Sequence, residues 1–230
     1  MVPFLFIAMA LTADGGPAPA PAAMTHEVKQ LVDRMQGFYE KTQDFTANFK
    51  QEYRYKTFAR TQTSTGKVTY AKAKGAEPTR MRWDYDQPKK VFLLSGEKAY
   101  FYDPDAATLN IVPIATNQLS ASVTFLWGKG KLENEFAISQ VPCPKCAGTQ
   151  LQLEPLKPDP RFQRVFLEID PKSATVLRST VIDPEGNSNA ITFTDLKTNV
   201  GVAASKDGGV PEVFRLSPPA GTQIVDMTRK

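Results

Sequence analysis

Side chains that commonly hold metals or perform acid–base chemistry are scarce in this chain. The sequence has two cysteines and one histidine in 230 residues. A structural zinc site takes four ligands, but Cys143 and Cys146 have no second pair and no histidine nearby. A nucleophile would depend on His26, which lies at the start of a predicted helix. We therefore expect no enzyme activity, metal or cofactor; an enzyme would require Glu97 or Asp84 to lie buried beside a partner in a cavity.

Long apolar runs are also few. Residues 2–11, VPFLFIAMAL, are too short for a bilayer, which takes about 20 residues, but they suit the core of a secretory signal peptide. We expect a signal peptide at residues 1–13, a Pro/Ala-rich linker at residues 14–24 and a single domain at residues 25–230; a buried N-terminal strand is the alternative interpretation of the run. Because the first cysteine is Cys143, an N-terminal lipid anchor is not expected.

Clusters of one charge are missing as well. The net charge is +4, and lysines and arginines are interspersed with acidic residues. A nucleic-acid-binding surface would gather its basic residues on one face, so the pattern favours an ordinary solvated surface and no nucleic acid partner. Mild positive charge still favours contact with an anionic membrane surface.

A helix is predicted directly after the linker. Its apolar residues recur every three or four positions over about four turns, and Thr25 is a suitable N-cap. Such a wide stripe needs an apolar surface to cover, and we expect that surface to be the aromatic strands that follow. The stripe consists of Val28, Leu31, Val32, Met35, Phe38 and Tyr39.

Alternation of apolar and polar residues predicts a sheet with one aromatic face. Residues 45–55 alternate, and segments at 66–70 and 81–85 repeat the pattern. A fourth segment, at residues 91–102, carries four aromatic residues about a Ser95-Gly96 turn. Side chains on one face of neighbouring strands form one surface, so a large apolar partner is expected to lie against it. The predicted members of this surface are Phe49, Tyr53, Tyr70, Met81, Trp83, Tyr85, Phe92 and Tyr100.

The alternation stops at residue 116. Leu119, Val123, Leu126 and Trp127 have helical spacing, and a glycine pair at residues 128–130 ends the segment. A short apolar helix inserted between strands is typical of a lid. We expect its four apolar residues to line one hydrophobic cavity together with the aromatic face of the sheet. An ordinary packing helix is the alternative.

The second half of the chain returns to short strands joined by tight turns. Many short strands of this kind predict an antiparallel sheet that curls into a sandwich or barrel. In an exported protein, Cys143 and Cys146 are expected to pair and clip one hairpin, with a redox centre as the alternative. The predicted strands are residues 136–141, 150–153, 162–169, 174–182, 190–193, 212–216 and 222–225.

Several segments occur in the order typical of one family. They are FTANFKQ at residues 45–51, Gly66, Pro78 with Arg82-Trp83, Gln87-Pro88, SGEK at residues 95–98 running into YFYDP at residues 100–104, and FRLSPPAG at residues 214–221. In these segments the chain resembles the periplasmic lipoprotein carrier family, LolA. The resemblance runs from about residue 25 to the C-terminus.

The resemblance implies an incomplete antiparallel β-barrel, mainly β with helices, whose concave apolar face carries a helical lid. It also implies a periplasmic carrier without enzymatic activity. Such a carrier binds the acyl chains of lipoproteins in a hydrophobic cavity and takes them from an inner-membrane ABC transporter to an outer-membrane receptor. Acylated lipoproteins, that transporter and that receptor are the implied partners.

One motif departs from the family. An arginine before the proline at the entrance of the third strand is expected to hold the lid through its carbonyls, but here Glu77 precedes Pro78. A lysine offers a point charge and lacks the planar fork of arginine, so a substitute latch is not equivalent. The candidates for the latch are Lys72, Lys74, Arg80 and Arg82.

Three other functions fit the same fold. Related half-barrels bind glycolipid or phospholipid or act as envelope sensors, without lipoprotein transfer, and others serve as outer-membrane receptors. The receptor form needs a lipidated N-terminal cysteine, and the sensor form an added domain; neither is expected here.

Overall fold

The predicted helix is present and is capped as expected. The computed structural model describes residues 24–75, 77–114, 131–202, 204 and 209–228. Helix α1 spans His26–Lys41, and the Thr25 hydroxyl accepts a hydrogen bond from Val28 N at 3.3 Å. Its apolar stripe is buried along most of its length. No helix in the described ranges is long and apolar enough to cross a membrane.

The strands form one twelve-stranded sheet. Their length and alternation follow the sequence pattern, and short turns join most neighbours. The strands are β1 Asp44–Tyr55, β2 Arg60–Ala71, β3 Arg80–Tyr85, β4 Lys90–Ser95, β5 Lys98–Asp103, β6 Thr108–Pro113, β7 Phe136–Gln140, β8 Thr149–Pro155, β9 Arg164–Ile169, β10 Val176–Ile182, β11 Ser188–Thr198 and β12 Gln223–Asp226.

The sheet does not close into a barrel. Its order is β12-β6-β5-β4-β3-β2-β1-β11-β10-β9-β8-β7, so β12 and β7 lie at opposite edges. Neighbouring strands are antiparallel except for β12, which pairs with β6 in parallel. Strand β1 is central because it pairs with both β2 and β11. The chain therefore builds two halves of a sheet on either side of its first strand.

The sheet curves around α1. Buried residues from both halves, including Tyr70, Trp83, Leu153 and Leu167, share one core with the apolar stripe of α1. A flat sheet of this width could not bring its two halves against a single helix, so the face toward α1 is concave. The predicted half-barrel is confirmed: an open, mostly β architecture with a helix packed in its concavity.

One predicted strand is wrong. Residues 212–216 were expected to be extended, but Glu212–Phe214 form a 3-10 turn. Phe214 is buried on the convex face against Leu93 and Ala71. The Arg82 guanidinium donates to the carbonyls of Val213 and Arg215, at 3.2 and 2.9 Å. The Arg82 side chain therefore satisfies two backbone carbonyls that would otherwise pair with a neighbouring strand.

Candidate functional site

Aromatic rings from three strands meet on the concave face. Phe49 contacts Trp83 and Tyr85 edge to face, with ring centroids 4.9 and 5.0 Å apart. Trp83 also lies 6.2 Å from Phe193, which continues the cluster onto β11. Edge-to-face geometry is the arrangement that aromatic pairs prefer. We call the concave surface of β1 to β6 and β11 the aromatic face.

The register of the strands fixes which residues belong to this face. Ala47, Val68, Trp83, Phe92 and Phe101 lie opposite one another from β1 to β5. Directly paired residues of an antiparallel sheet point to the same side. The first four are buried or half-buried, whereas Phe101 is 46% exposed at the edge of the face.

A glycine makes room for the central ring. A Cβ atom on Gly66 would lie 2.7 Å from Cζ of Phe49 and would collide with the carbonyl oxygen of Asp84. Gly66 pairs with Phe49 on one side and with Tyr85 on the other. The missing side chain thus leaves the space in which Phe49 reaches both of its aromatic neighbours.

Helix α1 is bonded chiefly to the other half of the sheet. Three hydrogen bonds join them: Arg34 Nη2 to the carbonyl of Pro171 at 3.0 Å, Leu132 N to Gln36 Oε1 at 2.7 Å, and Val176 N to Tyr39 Oη at 3.1 Å. Lys29 adds an ion pair with Glu133, at 3.1 Å, on the same side. These contacts fix the helix against the half of the sheet formed by β7 to β10.

Against the aromatic face, α1 makes mainly apolar contacts. One polar contact is described there: Lys72 Nζ donates to the carbonyl of Glu40 at 2.6 Å. A cation at the C-terminal end of a helix is favourable because the free carbonyls carry partial negative charge. The helix is therefore anchored on one side and held on the other by packing and a single lysine.

The described residues beneath the helix enclose one narrow crevice. It is lined by Tyr39, Phe45, Ala47, Val176, Phe193 and Leu196 and has a volume of about 10 Å³, close to the room of one water molecule. Among the described residues, the apolar stripe of α1 packs directly against the concave face.

Two tyrosine hydroxyls lie in this apolar environment. Burial raises the pKa of Tyr39 and of Tyr70 to about 12. Tyr39 Oη has the amide of Val176 as a partner. Within the described residues, Tyr70 Oη has none, and neither has Ser179 Oγ on β10.

Most of the predicted face residues in the described ranges lie together. Phe49, Tyr70, Met81 and Trp83 are buried in one core, and Tyr85 and Phe92 pack against it. Tyr53 lies on the same side of β1 but is half-buried near its end, and its hydroxyl donates to Asp183 at 3.4 Å.

Tyr100 is the exception. It pairs with Leu93, on the convex face, and packs with the segment around Phe214. The expectation that Tyr100 lines the concave face is therefore wrong, because the alternation within β5 gives that side to Ala99 and Phe101. The predicted lid residues Leu119, Val123, Leu126 and Trp127 lie outside the described residues.

The four latch candidates have different surroundings. Lys72 bonds to α1, whereas Lys74 is exposed and pairs with Glu77 through backbone atoms alone. Arg80 and Arg82 occupy alternate positions of β3 on the convex side, away from the aromatic face. Arg80 is buried and pairs with Glu77 at 2.6 Å. Arg82 holds the C-terminal segment.

The polar groups considered for chemistry are dispersed. Asp84 is partly exposed and pairs with Arg82 at 2.8 Å, and Glu97 is exposed. The described ranges contain no group of three or more metal-binding side chains. Cys143 and Cys146 form a disulfide in the turn between β7 and β8.

The sequence interpretation missed the second half of the concave face. Leu151, Leu153, Val165 and Leu167 are fully buried in the same core. The signal was present, since QLQLE at residues 150–154 and RVFLEI at residues 164–169 alternate apolar and polar positions. Aromatic residues mark the half of the sheet that carries the aromatic face, which we call the aromatic half. Aliphatic residues mark the half formed by β7 to β10, which we call the aliphatic half.

The fold and this face define a class of protein: an open half-barrel that presents an aromatic concavity to a helix. The family model "Outer membrane lipoprotein carrier protein LolA" matches residues 40–206. The chain belongs to this family, as the resemblance in its sequence predicted. The family is one of carriers rather than enzymes.

Relatives agree with that assignment, and a solved structure shares the fold. The outer-membrane lipoprotein carrier protein of Nitrosomonas europaea is 22% identical over 211 residues, which cover 91% of this chain and 92% of that protein. The carrier protein of Pseudomonas aeruginosa is 27% identical over 209 residues, which cover 89% and 92%. The crystal structure of MucB superposes with a TM-score of 0.51 at 16% identity and covers 87% of this chain and 66% of that chain. The likeness to MucB shows the fold alone.

Proposed function

We propose that this protein is a periplasmic carrier that binds the acyl chains of lipoproteins on its aromatic face. It would accept them from an inner-membrane ABC transporter and deliver them to the outer membrane. Membership of the carrier family supports lipoprotein as the cargo. The transporter, the receptor and the periplasmic location follow from the same proposal.

One observation carries the proposal: the aromatic face is covered by a helix that is anchored mainly on the opposite half of the sheet. Three bonds to Pro171, Leu132 and Val176 keep α1 on the aliphatic half. On the aromatic half, Lys72 provides the one described polar contact. A separation of α1 from the aromatic half would expose a continuous apolar surface without breaking the aliphatic half.

The physical chemistry of this surface suits a carrier. Each methylene group that leaves water contributes about 0.8 kcal/mol, so an acyl chain binds strongly to an apolar surface of modest size. In this structure the apolar stripe of α1 occupies the same surface. Helix and chain therefore compete for the face, and the return of the helix favours release. Binding and release can both be rapid without a chemical step.

Trp83 provides the test of the binding surface. It is buried at the centre of the face, between Phe49 and Phe193. An aspartate in its place would oppose an acyl chain with a charge, and we expect Trp83→Asp to abolish binding of a fluorescent fatty acid. Circular dichroism should show that the sheet still forms.

A matched control places the same charge on the convex face. Thr192 of β11 lies between Lys50 and Arg178 in the ladder, so Thr192→Asp should be tolerated and should leave fatty-acid binding unchanged. Equal binding by the parent and a folded Trp83→Asp variant would exclude the aromatic face as the binding surface.

Native mass spectrometry of protein from an envelope fraction would identify the cargo. We expect a co-purifying acylated peptide or lipoprotein. Phospholipid or glycolipid alone would instead indicate a lipid carrier with the same fold and would contradict the lipoprotein proposal.

A further inference from the structure

A buried hydroxyl without a partner lies on the aromatic face. Tyr70 is 1% exposed, and its Oη has no hydrogen-bond partner within the described residues. Its ring stacks on Phe45 with centroids 5.0 Å apart, and Met81 is its apolar neighbour on β3. An unpaired buried hydroxyl destabilises a fold, and phenylalanine would fill the same space without that penalty.

The position of this hydroxyl relates it to the helix. Phe45, on which Tyr70 stacks, also lines the crevice beneath α1 together with Tyr39. Tyr70 and Lys72 lie close together in the chain, and Lys72 holds the end of α1. The hydroxyl is thus buried in the region where the helix is held by one lysine rather than by its three bonds to the other half.

The chemistry of the group limits what could pair with it. Burial raises the pKa of Tyr70 to about 12, so the hydroxyl is protonated at neutral pH and can donate a hydrogen bond. The methylene groups of an acyl chain offer no acceptor. The carbonyl oxygen of the ester that joins the chain to its glycerol is an acceptor, and it arrives together with the chain.

We propose that Tyr70 is a specificity-determining residue that donates a hydrogen bond to an ester carbonyl of the bound lipid. The inference rests on the proposed function and adds one property to it, a preference for ester-linked chains over bare hydrocarbon. A buried donor that is paired only in the loaded state discriminates against ligands that lack the acceptor. It also weakens the empty state, which favours loading.

Two lipids that differ only at this group provide the experiment. A diacyl phosphatidylglycerol and its dialkyl ether analogue, with the same saturated chains, are titrated against the full chain, and displacement of anilinonaphthalene sulfonate is measured. We expect the wild-type protein to bind the diacyl lipid about five- to tenfold more tightly, the range of one hydrogen bond. Tyr70→Phe should bind both lipids equally, through loss of affinity for the diacyl lipid alone.

Tyr100→Phe is the matched control. Tyr100 is half-buried on the convex face, where it pairs with Leu93 and packs against the segment around Phe214, outside the proposed binding surface. The same substitution there should keep the preference for the diacyl lipid. Loss of the preference in Tyr100→Phe but not in Tyr70→Phe would overturn the assignment.

Urea unfolding gives an independent readout. Removal of an unpaired hydroxyl should raise the unfolding midpoint of empty Tyr70→Phe above that of the wild-type protein. A lowered midpoint together with an unchanged lipid preference would indicate a bound water as the partner and would overturn the inference. Equal wild-type binding of both lipids would also overturn it while leaving the carrier proposal intact. Binding of neither lipid would overturn both.

Discussion

The hydroxyl oxygen of Tyr39 lies 3.1 Å from the backbone nitrogen of Val176 and accepts its hydrogen bond. Both residues are buried, Tyr39 near the end of α1 and Val176 at the start of β10. The bond joins the helix to the aliphatic half of the sheet. It lies next to the aromatic face, because Tyr39 also lines the crevice together with Phe45. Among the described residues the attachment of α1 is therefore asymmetric, and under the proposed function we expect the concavity to open on the side of the aromatic face.

Tyr39→Phe should weaken the anchored side of the helix. The amide of Val176 would lose this partner in a buried position, which costs about 1–3 kcal/mol of unfolding free energy. Urea unfolding measures the loss. Tyr53→Phe is the control, because the hydroxyl of Tyr53 forms a longer bond, 3.4 Å, in a half-buried position; it should change stability by less than about 0.5 kcal/mol. Equal stabilities of Tyr39→Phe and wild type would show that this bond does not anchor α1.

Lys72→Met should release the other side of the helix. The variant removes the ammonium that donates to the Glu40 carbonyl and keeps most of the apolar stem. A cation at the end of a helix contributes about 0.3–1 kcal/mol, so the expected loss of stability is small. Release of a bound fatty-acid probe should slow, because a helix that is held less firmly returns less readily to the aromatic face, whereas Lys74→Met, at an exposed neighbouring position, should leave the release rate unchanged. Identical release rates in the two variants would show that Lys72 does not hold α1 in place.

Arg82→Lys should free the C-terminal segment from the convex face. The guanidinium binds Asp84 with two contacts of 2.9 Å from Nε and donates to the carbonyls of Val213 and Arg215. A lysine cannot make this set of bonds, so we expect a loss of about 1–3 kcal/mol and faster amide exchange in residues 209–216. Binding of fatty acids should persist because Arg82 faces away from the aromatic face. Protection of this segment equal to that of the wild type would contradict the role.

Stability should fall at alkaline pH because of Tyr39 and Tyr70. Burial raises the pKa of each to about 12 in the folded protein, above the ordinary value of 10.0. Between these values the unfolded chain loses phenolic protons that the folded chain retains, so the contribution is complete below pH 10 and decreases as the pH rises toward 12. The loss at pH 11.5 should be about 2 kcal/mol for each tyrosine.

Urea unfolding at pH 9 and pH 11.5 measures this dependence. The double variant with phenylalanine at both positions should lose less stability than the wild type over the same interval, and each single variant should lie between them. Parallel decreases in the wild type and the double variant would assign the alkaline loss to other groups.

Local pattern alone was sufficient for several elements of this protein. Helix α1 follows from a stripe with period 3.6 and a threonine cap, and much of β1, the second half of β2 and β3 follow from alternation of apolar and polar residues, because both signals depend on neighbours in the chain. The family was also predictable from segments such as FTANFKQ and SGEK. The strand predicted at residues 212–216 failed because Arg82, distant in the chain, takes the carbonyls of that segment.

Tertiary structure decided which face each residue occupies and what lies against it. Tyr100 and Phe101 are adjacent in a strand and therefore point to opposite faces, but only the pairing of β5 with β4 decides that Phe101 is the one on the concave side. The distribution of the bonds of α1, three to the aliphatic half and the Lys72 contact near the aromatic half, joins residues far apart in sequence. The burial of an unpaired hydroxyl at Tyr70 is likewise a property of its surroundings. The sequence by itself determined a helix, the strands and a family of carriers; how the concavity is covered depended on contacts between distant residues, which no local pattern encodes.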